Sequence, residues 1–173
     1  MNDLVLVFPN EEMESKALSF KKEFIDNGEK TINGSYKLDM NKYSYLEWLQ
    51  IIKDNLNKET MNPKFGFSHT FFAVRNDGEI IGIVNFRHTL TDFYKDLGHI
   101  GYSVRPSERK KGYATEILKQ VLEFAKSQGL TKVFLTCKKD NEASKKTILR
   151  NGGVLNRSFV KNAIEYEEYY ISI

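Results

Sequence analysis

The chain has 173 residues, 40% of them hydrophobic and 13% aromatic, enough apolar material for one domain over residues 1–173 with its own core, and not the composition of a disordered chain. Its 26 Lys and Arg against 23 Asp and Glu leave a net charge of +3, too balanced for a general nucleic-acid or membrane binder. One cysteine and three histidines give no internal disulfide and no metal-ligand spacing, and residues 1–8 lack the basic and apolar regions of a signal peptide or span, so the reading is a cytoplasmic protein without a metal.

In chain order, Leu4-Val5-Leu6-Val7-Phe8 is a β-rich apolar run stopped by Pro9 and reads as a first strand. Residues 11–27 carry Met13, Ala17, Phe20 and Phe24 at helical spacing, and Gly28 closes that helix. Residues 41–57 form a second amphipathic helix with Asn41 placed to cap it. Its Trp48 is either core or a wall for a substrate. Residues 58–68, with Pro63 and Gly66, are a loop without a readable conformation.

Residues 69–75 and 79–88 flank Asn76-Asp77-Gly78 and predict a β-hairpin. A polar and aromatic connector, 89–97, leads to a third strand over 99–105. From Gly112 onward, Ala114, Ile117, Leu118, Val121, Leu122 and Ala125 trace one helix face, and Gly129 ends it. Residues 131–137 then read as a buried strand, which makes 99–137 a right-handed crossover with two parallel strands. A short helix over 141–150, capped by Asn141 or Asp140 and stopped by Gly152-Gly153, precedes an antiparallel pair over 154–159 and 165–171. The fold class is α/β (α+β), a mixed central sheet of about six or seven strands with helices on both faces.

The segment Val104-Arg105-Pro106-Ser107-Glu108-Arg109-Lys110-Lys111-Gly112-Tyr113-Ala114-Thr115 joins that third strand to the long helix. Backbone N–H groups, basic side chains and the positive end of a helix dipole converge there, which predicts a phosphate site. A second basic group, Lys138, Lys139, Lys145, Lys146 and Arg150, lies downstream. Two local patches on a nearly neutral chain suit a small polyanion.

With Arg109-Lys110-Lys111-Gly112-Tyr113-Ala114 between a strand and an amphipathic helix, and Asn141 and Ser144 after the next strand, the chain resembles the GNAT superfamily of acyl-CoA-dependent N-acyltransferases. Gly98 to Val104, Leu135-Thr136-Cys137 and Asn151-Gly152-Gly153 look like a bacterial branch of predicted acetyltransferases with no settled substrate. The resemblance implies acetyl-CoA as co-substrate and a small-molecule or peptide amine as acceptor, with no nucleic acid and no membrane as partner. It implies that Tyr102, Ser103 and Val104 pair their backbone with the pantetheine arm, and that Arg109, Lys110, Lys111, Gly112, Tyr113, Ala114 and Thr115 hold the pyrophosphate. Asn141 bonds the pantetheine, Ser144 lies nearby, and Lys145 or Lys146 meets the 3'-phosphate.

Two positions depart from the family's pattern. Its leaving-group tyrosine falls at Ile148, which cannot donate a proton, and the usual Gly-Phe is Gly152-Gly153. Candidate replacements for the acid are Tyr102, Tyr169 and Tyr170. His99 is the candidate base, neutral at physiological pH, against the alternative of a strand histidine bonded to backbone. Asn85 and Arg87 are candidate substrate contacts, Arg87 able to grip a carboxylate with two bonds or to pair with an acidic neighbour. Cys137 reads as a small core residue. The leading function is N-acetyl transfer to a primary amine by direct attack in a ternary complex. A non-catalytic acyl-CoA sensor and a protein N-terminal or lysine acetyltransferase are the alternatives; a homodimer stays open.

Overall fold

The computed structural model describes residues 3–173. Among them are seven strands, β1 Leu4–Val7, β2 Ser68–Arg75, β3 Ile80–Arg87, β4 Ile100–Val104, β5 Lys132–Lys138, β6 Val154–Lys161 and β7 Ile164–Ser172. Four α-helices accompany them, α1 Glu14–Asp26, α2 Tyr45–Asp54, α3 Tyr113–Ser127 and α4 Glu142–Arg150. The expected elements are all present. Where α2 begins differs from the expectation: its cap is Ser44 and not Asn41. The Ser44 hydroxyl accepts the Glu47 N–H at 3.2 Å, and the Glu47 carboxylate accepts the Ser44 N–H at 2.7 Å. That reciprocal pair satisfies two otherwise orphaned donors, which an asparagine three residues earlier cannot do.

The strands form two ladders, β1-β2-β3-β4 and β5-β7-β6, and every strand pairing within them is antiparallel. The hairpin turn is as the sequence has it, with Gly78 at φ 81° and its N–H on the Arg75 carbonyl at 2.7 Å. β3 is buried along its whole length although it belongs to an antiparallel sheet. The reason is cover on both faces. Ile81, Val84 and Phe86 pack with Ile117, Leu118 and Val121 of α3, while Ile80 and Ile83 join Phe20, Phe24, Trp48 and Ile52 of α1 and α2. The amphipathic stripes of three helices therefore clamp one strand between two cores.

The expected parallel pairing of β4 with β5 does not form. A single bridge, Gly98 to Leu135, joins the two ladders. Beside it the His99 N–H donates to the Phe134 carbonyl at 2.7 Å, and the His99 imidazole Nδ1 accepts the Phe134 N–H at 3.0 Å. The side chain thus takes the donor that a continuing ladder would have used. Gly98 is at φ 79°, and a Cβ there would lie 2.4 Å from the Phe134 carbonyl oxygen, so only glycine brings the strands this close. Beyond this joint β4 and β5 diverge and leave β4 as an open edge.

Candidate functional site

The divergence of β4 and β5 opens a cleft of about 1000 Å³. Its walls are Gly101 to Val104 of β4, Arg109, Lys110 and Gly112 of the following loop, the first turn of α3, Leu135 to Lys138 of β5, and Asn141, Ser144, Lys146, Thr147 and Ile148 at α4. Most of the residues expected to hold coenzyme A are therefore gathered in one place. Lys111 is the exception and does not line it.

At the loop, Gly112 stands at the N-cap of α3 with φ 86°, and no side chain caps the helix. Among the described residues, the backbone N–H groups of Gly112, Tyr113 and Ala114 make no hydrogen bond. Lys110, also left-handed at φ 64°, sharpens the turn that presents them. A helix start with free donors beside a glycine is suited to an anion. The side-chain cations, in contrast, are mostly committed. Arg105 pairs with Glu79 at 3.2 Å and Glu23 at 3.5 Å, Arg109 with Glu29 at 2.8 Å, and Lys111 with Glu108 at 2.8 Å. The hydrogen bond from Arg109 holds the Glu29 carboxyl below its usual range. Facing the cleft without a carboxylate partner among the described residues are Lys110 at the loop and, elsewhere on the walls, Arg87, Lys138, Lys146 and Arg150. Lys145 is held by Glu167 at 3.0 Å and Glu142 at 3.6 Å.

β4 offers its edge to the cleft. The Arg87 N–H bonds the His99 carbonyl and the Arg105 N–H bonds the Ile81 carbonyl, so alternate residues of β4 turn their backbone groups toward β3. Ser103 belongs to that set, whereas Tyr102 and Val104 point theirs away. The Val104 carbonyl is already taken by Arg109 Nε at 3.1 Å. Of the three, Tyr102 keeps both its N–H and its carbonyl open toward the cleft, and Val104 its N–H alone. Across the cleft, Asn141 caps α4 through its Oδ1, which accepts the Ser144 N–H at 3.1 Å. The Tyr102 phenol meets Ser144 Oγ at 3.0 Å. Burial pushes the Tyr102 phenol above its ordinary value, partly offset by that bond, so it stays protonated.

Ile148 is buried, and the second glycine after α4 follows from it. A Cβ on Gly153 would lie 2.4 Å from Ile148 Cγ2. It would also lie 2.9 Å from the Ile148 carbonyl oxygen, so side chain and backbone of residue 148 both crowd that position.

Several expected side chains lie elsewhere. His99 does not line the cleft. Burial, then the neighbouring charge of Arg87, lowers its pKa to about 4, and its Nδ1 is committed to Phe134. It joins the two sheets through its backbone and its side chain. Trp48 is 1% exposed, and its indole N–H donates to the carbonyls of Ser35 and Tyr36, both at 3.0 Å. Asn85 is also buried, with Nδ2 on Thr70 Oγ1 at 3.0 Å and the His69 carbonyl at 3.2 Å. Both belong to the interior, Trp48 with its N–H spent on neighbours and Asn85 with its Nδ2 spent while its Oδ1 is buried without a partner. Tyr169 is buried and donates to Glu167 at 2.6 Å, and neither it nor Tyr170 reaches the cleft. Cys137 does reach it, with burial raising its thiol pKa. Arg87 lines the cleft, and among the described residues no acidic neighbour pairs with it.

One contribution had no sequence signal. The segment after α1 crosses β4, where the Ser103 hydroxyl donates to the Asn33 carbonyl at 2.8 Å. Gly34, at φ 79°, sits so close that a Cβ would be 2.2 Å from the Gly101 carbonyl oxygen.

The chain is thus a splayed α+β sheet with an uncapped helix start at the mouth of the splay. Residues 28–154 match the acetyltransferase (GNAT) domain, and the chain belongs to that family. Among curated proteins it is 31% identical over 104 residues to the uncharacterized N-acetyltransferase YoaA of Bacillus subtilis, and 32% identical over 90 residues to YnaD of the same organism. These matches cover 57% and 47% of this chain, and the chain spans 58% and 53% of those relatives' lengths. In fold it resembles the microcin C7 self-immunity acetyltransferase MccE, solved with acetyl-CoA and AMP, at TM-score 0.72 and 20% identity over 100% of this chain and 94% of that one. The ribosomal L7/L12 α-N-protein acetyltransferase RimL, solved with coenzyme A, aligns at TM-score 0.72 and 16% identity over 100% of this chain and 96% of that one. Among the described residues no helix is long and apolar enough to cross a membrane.

Proposed function

We propose that the protein moves the acetyl group of acetyl-CoA to a primary amine by direct attack in a ternary complex. The observation that carries this is the pairing of an uncapped α3 start with an open β4 edge on one cleft of about 1000 Å³. The N–H groups of Gly112, Tyr113 and Ala114 fit a pyrophosphate, and Lys110 adds charge beside them. Tyr102 and Asn141 are placed to bond an extended amide arm lying between β4 and α4. MccE and RimL, similar in fold, were solved with such ligands.

The chemistry follows from the side chains at the splay. The amine nitrogen attacks the thioester carbonyl, the C–S bond breaks, and the departing sulfur takes the Tyr102 phenolic proton, in the role that Ile148 cannot fill. Ser144 orients that phenol. The proton lost by the amine passes to water, since Glu29 and Glu108, the carboxylates lining the cleft, are both held in ion pairs. An amine already partly neutral is therefore favoured over a lysine side chain, whose ordinary pKa is about 10.4.

The sensor reading draws on Ile148 alone. Calorimetry with acetyl-CoA and a thiol-release assay over a broad amine and peptide panel separate the two readings. Binding with turnover is expected. Binding without turnover favours the sensor, and no binding at millimolar ligand removes both. Gly112→Glu, which puts a carboxylate among the phosphate donors, should abolish the binding.

A further inference from the structure

Among the described residues, Arg87 is the one buried cation lining the cleft, and the cofactor reading leaves it without a task. It is 8% exposed, yet among the described residues no carboxylate lies within ion-pair distance. Its Nη1 donates to the Gly98 carbonyl at 2.9 Å, its guanidinium lies 4.0 Å over the Tyr94 ring, and its Nε is buried without an acceptor. A guanidinium stays charged, and burying it unpaired is costly, so a site that keeps one does so at the expense of stability.

The groups that face it do not neutralise it. They are two phenols, an imidazole and backbone. Burial pushes Tyr36 up to about 12 and raises Tyr94, so both phenols are neutral, and His99 is neutral with a pKa of about 4. Gly101 gives the guanidinium room: a Cβ there would lie 3.0 Å from Arg87 Nη2 and 3.2 Å from the Gly34 nitrogen. The charge therefore sits between β4 and the segment through Gly34, at the end of the cleft away from the Gly112 turn and next to the open backbone of Tyr102.

We propose that Arg87 is the specificity determinant for the acceptor, gripping a carboxylate on the molecule whose amine is acetylated. This rests on the transferase reading above. One cation faces the position, which matches a single negative charge better than the double charge of a phosphate monoester. The planar fork of arginine matches the two oxygens of a carboxylate. The acceptor class is then a small amino acid-like compound, with the amine directed at Tyr102 and the acid at Arg87.

The test compares carboxylated amines with their own neutral counterparts: α-amino and ω-amino acids, each beside its carboxamide and its decarboxylated amine. Losing one charge-assisted contact predicts kcat/KM values roughly 10- to 150-fold higher for the acids. In Arg87→Gln that preference should fall to less than about threefold while the Kd for acetyl-CoA is unchanged, an outcome that a merely structural role for Arg87 does not produce. Equal use of acids and amides by the wild type overturns the proposal. So does calorimetry in which none of the acids binds the protein, with or without coenzyme A, at tens of millimolar. Failure of acetyl-CoA itself to bind counts against the transferase reading, while acid binding that Arg87→Gln abolishes would still support the carboxylate site. If Arg87→Gln does not fold, Arg87→Lys, which keeps the charge and loses the fork, should lower the preference without erasing it; an unchanged preference overturns the proposal.

Discussion

The imidazole Nδ1 of His99 accepts the backbone N–H of Phe134 at 3.0 Å, so a side chain on one sheet closes the last bond that joins it to the other. The cleft begins where that bond ends. Removing the acceptor leaves the Phe134 N–H orphaned beside the Gly98 bridge. His99→Leu should cost about 1–3 kcal/mol in chemical denaturation, and His99→Gln, which can still accept, distinctly less. If His99 is this joint and not a base, the pH-rate profile of His99→Gln keeps the shape of the wild type. A vanished acidic limb would return His99 to the chemistry.

The same residue ties stability to pH. Its folded pKa is about 4 against an ordinary 6.5, so between these values the unfolded chain holds the extra proton. Stability from this source is complete above pH 6.5 and is lost as pH falls toward 4, by up to roughly 3 kcal/mol. His88, lowered to about 4 chiefly by burial and then by the charge of His69, acts in the same direction. Urea titrations at pH 7.5 and pH 4.5 should show the drop, and His99→Gln should flatten part of it. An equal drop in both proteins would show that other groups carry it.

Tyr102→Phe deletes the phenol that meets Ser144 and leaves the β4 backbone intact. As the loss of a general acid, it should lower kcat about 10²- to 10⁴-fold with little change in acetyl-CoA affinity. Because the phenol is raised above its ordinary value, kcat of the wild type should show no alkaline fall from this group below about pH 10. Retained turnover in the phenylalanine variant would mean that water protonates the thiolate.

The fold was legible where the signal was local. The Gly112 helix, the Asp77-Gly78 turn and the Asn141 cap each rest on a few adjacent residues whose backbone chemistry allows one outcome. The walls of the cleft were legible for the same reason, since the open donors at the Gly112 turn are backbone groups set by a few adjacent residues. What was not legible depended on partners far apart in the chain. That Arg105, Arg109 and Lys111 are spent on Glu79, Glu23, Glu29 and Glu108 is set by tertiary packing. So is the change of His99 from candidate base to sheet joint. The Ser44-to-Glu47 capping box, by contrast, was written in the sequence, and Asn41 was read in its place.

The two lysines at α4 make a sharp pair. Lys145 is tied to Glu167 and Glu142, while Lys146 lines the cleft. Lys146→Ala should weaken coenzyme A by roughly 3- to 10-fold and leave dephospho-coenzyme A unchanged, if Lys146 reads the 3'-phosphate. Lys145→Ala should spare both ligands and lower stability slightly. Equal losses for the two ligands would place Lys146 near the pyrophosphate instead.

Ile148 and Gly153 can be tested as one unit. A Cβ at Gly153 would press on Ile148 Cγ2 at 2.4 Å and on the Ile148 carbonyl oxygen at 2.9 Å, so Gly153→Ala should destabilise by about 1–3 kcal/mol through overpacking. In an Ile148→Ala background the side-chain clash is gone and the backbone one remains. The penalty of the second substitution should therefore shrink without vanishing, a coupling of about 0.5–2 kcal/mol in a double-mutant cycle followed by thermal or urea unfolding. Strict additivity would mean that the glycine answers to the backbone alone. A measurable coupling would show that the isoleucine side chain at 148 and the missing side chain at 153 are set together.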